Sequence, residues 1–243
     1  TGRLGRAGLM ARRGYQTVSV DQDADGWFVT LDGRALRTPG KRPIRVPSQS
    51  VADMLKSEWD AVPQAEEGEI DPTVMPVTRL SNVASESVAD RRDDLVTEAR
   101  NYAGTDLLSY RAPDPEEFVA RQAAAWDPWI DWAASRGVAL QTTDAIRAID
   151  QAEASLDAGV DYARTLPDSA LTLFVHLVAG YGSAVLAMAV MEKALDPGQA
   201  FDLSRIDELY RAEIWGVDAD DETARLALRA ETVTLGSLAA HRD

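Results

Sequence analysis

The side chains of this chain best placed to do chemistry are carboxylates set beside tryptophans. They fall in three separated phrases: Glu58-Trp59-Asp60, Trp126-Asp127-Pro128 with Trp129 and Trp132 after it, and Asp207-Glu208 leading to Glu213-Ile214-Trp215-Gly216. Two acids can hydrolyse a glycosidic bond when one is held protonated. With 40 acidic residues, however, a pair arises anywhere by chance. Glu208 and Glu213 lie five apart, a spacing that does not bring them face to face on a helix. A carboxylate-dependent carbohydrate hydrolase is therefore the alternative reading rather than the leading one. Tryptophan is also a favoured anchor of protein interfaces, and several of the six beside acids point to a surface that holds another protein.

Other chemistries each lack a part. Asp21, Asp23, Asp25 and Gly26 imitate the start of a calcium loop, but the twelfth position would be Asp32, shorter than the usual bidentate Glu. The flanks read as strands and the same residues serve as turn formers, so a calcium-dependent binding module ranks third. No Gly-rich loop ends in Gly-Lys-Ser or Gly-Lys-Thr, and Gly180-x-Gly182 lacks a third Gly and follows a helical stretch. His176 sits in an apolar run and His241 at the chain's end, which leaves no Ser-His-Asp triad and too few zinc ligands. The absence of cysteine removes disulfides and thiolate catalysis and fits a reducing compartment. The expectation is no catalytic residue, no metal and no cofactor.

Charge narrows the partner. A formal net charge of -15 would repel phosphate backbones and anionic lipid, so neither nucleic acid nor a membrane surface is expected, and a basic or mixed protein surface is. Ala170 to Met191 approaches the length of a spanning helix, yet Thr172, His176 and Gly180-Tyr181-Gly182-Ser183 interrupt it. It is expected to form two buried helices without membrane insertion.

The elements that must position these groups change character along the chain. Residues 1–13 carry Arg3, Arg6, Arg12 and Arg13 with no acid before Asp21 and no apolar signal region; they are set aside as an unstructured or non-native lead. From there a β-meander is expected: Gln16–Val20, a turn at Asp23-Ala24-Asp25-Gly26, Trp27–Leu31, the two-residue turn Asp32-Gly33, Arg34–Thr38 closed by Pro39-Gly40, and Ile44–Val46. Ser48 or Ser50 can cap a helix bearing Val51, Leu55 and Trp59 on one face and ending before Pro63. The acidic loop Glu66-Glu67-Gly68-Glu69 follows. Beyond Met75-Pro76 only helices are legible, at about 77–86, 88–102, 115–136, 151–165, 169–179, 183–195, 197–215 and 220–240. Strands followed by helices give an α+β class: a small N-terminal β-meander with a packed helix over residues 14–86, then a larger all-helical domain over 87–243. Trp126, Trp129, Ile130 and Ala133 fit a core stripe, whereas Trp215-Gly216 at a helix end leaves its ring at an exposed corner.

Read together, ordered phrases carry a resemblance. They are Trp27…Asp32-Gly33-Arg34…Thr38-Pro39, Pro47, Glu58-Trp59-Asp60, Met75-Pro76-x-x-Arg79-Leu80, Thr105-Asp106-Leu107…Tyr110-Arg111, Gln122…Trp126-Asp127-Pro128, Gly182-Ser183 and Asp207-Glu208…Trp215-Gly216. From about Tyr15 to the C-terminus the chain resembles the assembly chaperone of F-type ATP synthase that binds the α subunit of the catalytic head. The resemblance implies a cofactor-free, non-enzymatic protein. It would bind the nucleotide-binding region of the unassembled α subunit and keep it from aggregating until the β subunit replaces it. The helix bearing Asp207 and Glu208 fits the acidic helix that the family needs. The partner-binding residues expected are Asp207, Glu208, Glu213, Trp215, Glu58 and Trp59. That family occurs in mitochondria and alphaproteobacteria. The Ala- and Arg-rich composition suggests the bacterial form, hence a cytoplasmic monomer, with the mitochondrial matrix as the location if the source is eukaryotic.

Overall fold

A computed structural model describes residues 12–63, 70–86, 88–145 and 147–241. Most of the basic lead and the acidic loop at Glu66-Glu67-Gly68-Glu69 lie outside the described residues. Contacts divide the chain after Glu86 into two compact units.

In the first unit, β1 (Val18–Asp23) pairs antiparallel with β2 (Gly26–Leu31), Val18 opposite Leu31 and Asp23 opposite Gly26. β2 returns through Asp32 and Gly33, whose φ values of 48° and 75° are both positive, as a two-residue turn between twisted strands requires. β3 is only Arg34–Ala35, shorter than expected. The chain curls away at Thr38, whose amide donates to the Arg42 carbonyl at 2.9 Å, so pairing beyond it shrinks to isolated bridges. The expected strand at Ile44–Val46 is likewise a single bridge, Val46 with Trp27. β1 also runs three residues past the expected Val20, because Asp21 to Asp23 have partners in β2. The inward side chains Val18, Val29, Leu36, Ile44 and Val46 are buried, as are Val51, Ala52 and Leu55 on α1 (Gln49–Ala61). Ser48 caps α1 by accepting from the Val51 amide.

α2 (Pro76–Glu86) has no cap of its own, and Glu58 on α1 supplies one. Its carboxylate accepts from the Val77 amide at 2.7 Å, the Thr78 amide at 2.8 Å and the Thr78 hydroxyl at 2.7 Å. A negative charge there meets both the unpaired amides and the positive end of the helix dipole.

The second unit is helical: α3 (Val88–Gly104), α4 (Glu116–Ala134), α5 (Glu153–Thr165), α6 (Asp168–Tyr181), α7 (Ala184–Met191), α8 (Pro197–Ser204), α9 (Ile206–Trp215) and α10 (Ala219–Ser237), with a 3-10 turn at Leu238–His241. α6 and α7 form its centre, and every residue of α7 is buried. The apolar stretch breaks where the sequence suggests, at left-handed Gly182, with Ser183 capping α7 through the Leu186 amide. Among the described residues no helix is long and apolar enough to cross a membrane.

Asp106 fastens the loop before α4 to this centre. Fully buried, it accepts from the Leu108 amide at 3.0 Å and from the Val185 amide at 3.1 Å. Burial pushes its carboxyl up to about 6 against those hydrogen bonds. The phrases Thr105-Asp106-Leu107 and Gly182-Ser183 are thus two halves of one joint, closed further by the Leu107 amide on the Gly182 carbonyl at 3.0 Å.

The single helix expected over 197–215 is two. Arg205, at φ -115° and ψ 15°, separates α8 from α9. Phe201 must lie in the core and Tyr210 against α4, and nine residues along a straight helix would put them on opposite faces. The break turns both inward.

Candidate functional site

α9 begins with Asp207 and Glu208 in its first turn, where carboxylates suit the dipole, and ends at Gly216. Gly216 has φ 82° and ψ 176°, a conformation that side-chain-bearing residues avoid, and its amide closes on the Ala212 carbonyl at 2.9 Å.

Three residues at i, i+3 and i+6 tie one face of α9 to α4. Asp207 accepts from Nε2 of buried Gln122 at 2.8 Å, and Gln122 in turn accepts from the Ala112 amide at 2.7 Å. Tyr210 stacks on Phe118 with centroids 4.1 Å apart and planes 6° from parallel, and its hydroxyl donates to Glu117 at 3.0 Å. Glu213 takes a two-pronged pair from Arg121, both contacts 2.8 Å. Arg121's hydrogen bonds hold the Glu213 carboxyl below the usual range.

The opposite face, Glu208, Ala212 and Trp215 at i, i+4 and i+7, lines a groove of about 580 Å³ whose far wall is α10. Asp221, Glu222 and Leu228 stand on that wall. Arg205 lies 3.7 Å from Glu208, and Arg225 pairs with Glu222 at 2.7 Å. Asp218 caps α10 through the Asp220 amide at 2.9 Å, and Arg229 fixes the helix to α8 through Asp202 at 2.8 Å. Around the groove stand Trp215, 75% exposed, Val217 at 55%, Ile214 at 53%, Leu226 at 50% and Leu228 at 38%. These are five of the seven large hydrophobics exposed among the described residues, so the exposure is concentrated on α9, α10 and the link between them, and Trp215, Val217 and Leu228 line the groove itself.

The six residues named from sequence have different local roles. Glu208 and Trp215 face the groove, Asp207 and Glu213 seat its helix, and Glu58 and Trp59 belong to the first unit. Glu58 is engaged as the cap of α2. Trp59 lies against Tyr15, with centroids 5.8 Å apart, and Tyr15 donates to its carbonyl at 2.6 Å. The Trp126 phrase is mostly scaffold: its ring is fully buried, and Nε1 donates to the Leu203 carbonyl at 2.9 Å, steadying the segment that leads into α9. Of the expected core stripe Trp126 and Ala133 are buried but Trp129 and Ile130 only half-buried; Trp129 meets Trp132 edge to face at 6.2 Å, with Arg136 over Trp132. Sequence reasoning missed Leu226 and Leu228. Leu228 continues the stripe of Thr232 and Leu235, at i, i+4 and i+7, out to the exposed end of α10, whereas Leu226 lies off it, and an apolar residue outside a helix's core stripe was the available signal.

Among the described residues the enzymatic alternatives find no geometry. Carboxyls are raised at Asp106 and at Glu58, both first by burial, and each is bound to helix amides rather than paired in a cleft. Asp23 is held low by Arg45, which contacts it at 2.6 Å. Among the described residues no group of acids and histidines is placed to hold a metal.

The ATP12 chaperone protein family matches residues 12–134. The crystal structure of Atp12 from Paracoccus denitrificans is 38% identical, with 96% of this chain and 99% of that one covered at a TM-score of 0.86. The Atu1473 protein of Agrobacterium tumefaciens is 32% identical over 94% and 86% of the two chains, at 0.83. Protein atp12, mitochondrial, of Schizosaccharomyces pombe is 23% identical over 84% of this chain and 75% of its own length.

Proposed function

This chain belongs to the ATP12 chaperone family, chaperones of ATP synthase assembly rather than enzymes, and from that premise we propose that it holds the unassembled α subunit of F-type ATP synthase and keeps it from aggregating until the β subunit takes its place. The observation that carries this reading is the apolar patch around the α9–α10 groove, rimmed by carboxylates, on a unit whose central helices are otherwise buried. A lone subunit of a multisubunit head exposes the faces it will later bury, and such faces aggregate. A chaperone for it must meet it quickly and then leave. Rim carboxylates accelerate encounter with a basic surface while adding little net affinity, which leaves the contact reversible.

Within this reading Glu208 and Trp215 touch the client, Asp207 and Glu213 present the helix that carries them, and Glu58 and Trp59 serve the first unit. The protein acts as a cytoplasmic monomer in a bacterium, consistent with its alphaproteobacterial relatives, and in the matrix if the source is mitochondrial. The test is co-expression of the α subunit alone with this chain. Soluble α subunit should rise and co-elute with it; equal aggregation with and without the chain would refute the reading.

A further inference from the structure

We infer that the groove between α9 and α10 takes an apolar segment flanked by a lysine or arginine, inserted with its apolar side against Trp215 and Leu228 and its cation toward the first turn of α10. That the segment belongs to the α subunit rests on the reading above; the chemistry of the groove rests on the following geometry.

Shape and polarity come first. The groove is lined by the exposed Trp215, Val217 and Leu228 together with Leu209, Ala212 and Ala224, which supply its apolar surface. Tryptophan at such a position is the commonest energetic anchor of a protein contact. α9 is held from behind by Gln122, Phe118 and Arg121, so the groove wall is preformed and needs little ordering when a segment arrives.

Charge then selects the flank. The groove's lining carries four carboxylates, Glu208, Asp218, Asp221 and Glu222, against three guanidiniums, Arg205, Arg211 and Arg225, a balance of -1, with Asp220 next to them on α10. Arg205 and Arg225 are already engaged by Glu208 and Glu222. Asp220 and Asp221 enter no ion pair among the described residues. A helix N-terminus offers about half a positive charge, which four carboxylates at 218 and 220–222 outweigh. An anion is therefore repelled from this end and a cation drawn to it.

The test uses two synthetic twelve-residue peptides of identical leucine and alanine content, one ending in two lysines and the other in two glutamates. Binding to the whole protein is read as the emission change that disappears in Trp215→Phe. The lysine peptide should bind with a blue shift and the glutamate peptide about tenfold more weakly or less. Asp220→Asn with Asp221→Asn should narrow that preference to about threefold or less, and Leu228→Ser should weaken the lysine peptide without altering the melting temperature. Trp215→Ala, which lacks the reporting ring and is therefore titrated by calorimetry beside the parent, should weaken it by about thirtyfold, the loss typical of a hot-spot ring. Equal binding of the two peptides, no binding of either, or a signal that survives Trp215→Phe overturns the inference. Co-expression keeps it separate from the partner reading. If the protein rescues the α subunit but the peptides are not distinguished, the groove inference falls and the partner stands. If the peptides are distinguished but no α subunit is rescued, the groove stands and the partner falls.

Discussion

Replacing Glu208 and Asp207 one at a time should separate the two jobs of these adjacent carboxylates. Glu208 is exposed, its nearest cation is 3.7 Å away, and its loss should change stability by no more than about 0.5 kcal/mol. Glu208→Lys should therefore melt like the parent yet fail to keep the α subunit soluble, through repulsion of a basic contact. Asp207→Lys removes the acceptor of buried Gln122 Nε2, and an orphaned buried donor costs about 1–3 kcal/mol. That variant should lose several degrees of melting temperature as well as function, measured by thermal unfolding and α-subunit solubility on the same preparations. Equal melting losses in both would show that the two residues share one structural job. The sequence displays both carboxylates but not their division. One helical residue turns the chain by about 100°, so which of them faces α4 depends on where α9 starts. That start is Arg205, a residue with neither the ring nor the missing side chain that announces a break. The capping role of Glu58 was hidden for a related reason: the amides it caps lie 19 and 20 residues downstream, beyond any local pattern.

At the scale of elements, what was legible is what is local. The Asp32-Gly33 turn, the Ser48 cap and the Gly182-Ser183 break each follow from the conformational range of the residues concerned, and each lies where the residues put it. Strand lengths were not legible, because β3 ends where the chain turns at Thr38 toward Arg42 rather than where its own residues stop favouring extension. Close packing between helices was also hidden. A Cβ built on Gly236 of α10 would lie 2.5 Å from Pro197 Cβ at the start of α8, both of them rigid parts of the fold. Gly236 reads in sequence as a mere helix weakener, and alanine there would ordinarily stabilise by up to about 1 kcal/mol. Here Gly236→Ala should instead destabilise by about 1–3 kcal/mol, because α10 must move off α8. Urea unfolding of the variant decides the sign. A gain in stability would mean that α10 can shift freely, and the far wall of the groove would then not be fixed.

For the molecule as a whole, an excess of acid makes pH the natural variable, and Asp106 is the residue through which it reaches the helical centre. Its folded value, about 6, lies above the ordinary carboxylate value of 3.8, so the folded state binds a proton more readily than the unfolded chain. The sign follows: its contribution is most favourable below about pH 4, is lost as pH rises through 6, and stays lost above that. Asp23, Asp32 and Glu213 run the other way, since arginine or amide hydrogen bonds lower their folded values and their contribution is lost on acidification. The wild-type profile mixes both signs, so the informative quantity is the difference from Asp106→Asn. The asparagine can return only one carbonyl oxygen to the Leu108 and Val185 amides, so the variant should be less stable at every pH. What identifies the titration is slope. The stability of wild type minus variant should fall by on the order of 3 kcal/mol between pH 4 and pH 6.5, a shift of roughly two units at 1.36 kcal/mol each. Urea unfolding at four pH values across that window measures it. Parallel profiles would mean that the amides of α7 and Leu108 keep the carboxylate charged despite its burial, and the joint between the loop and the helical centre would then be an ionic one at every pH.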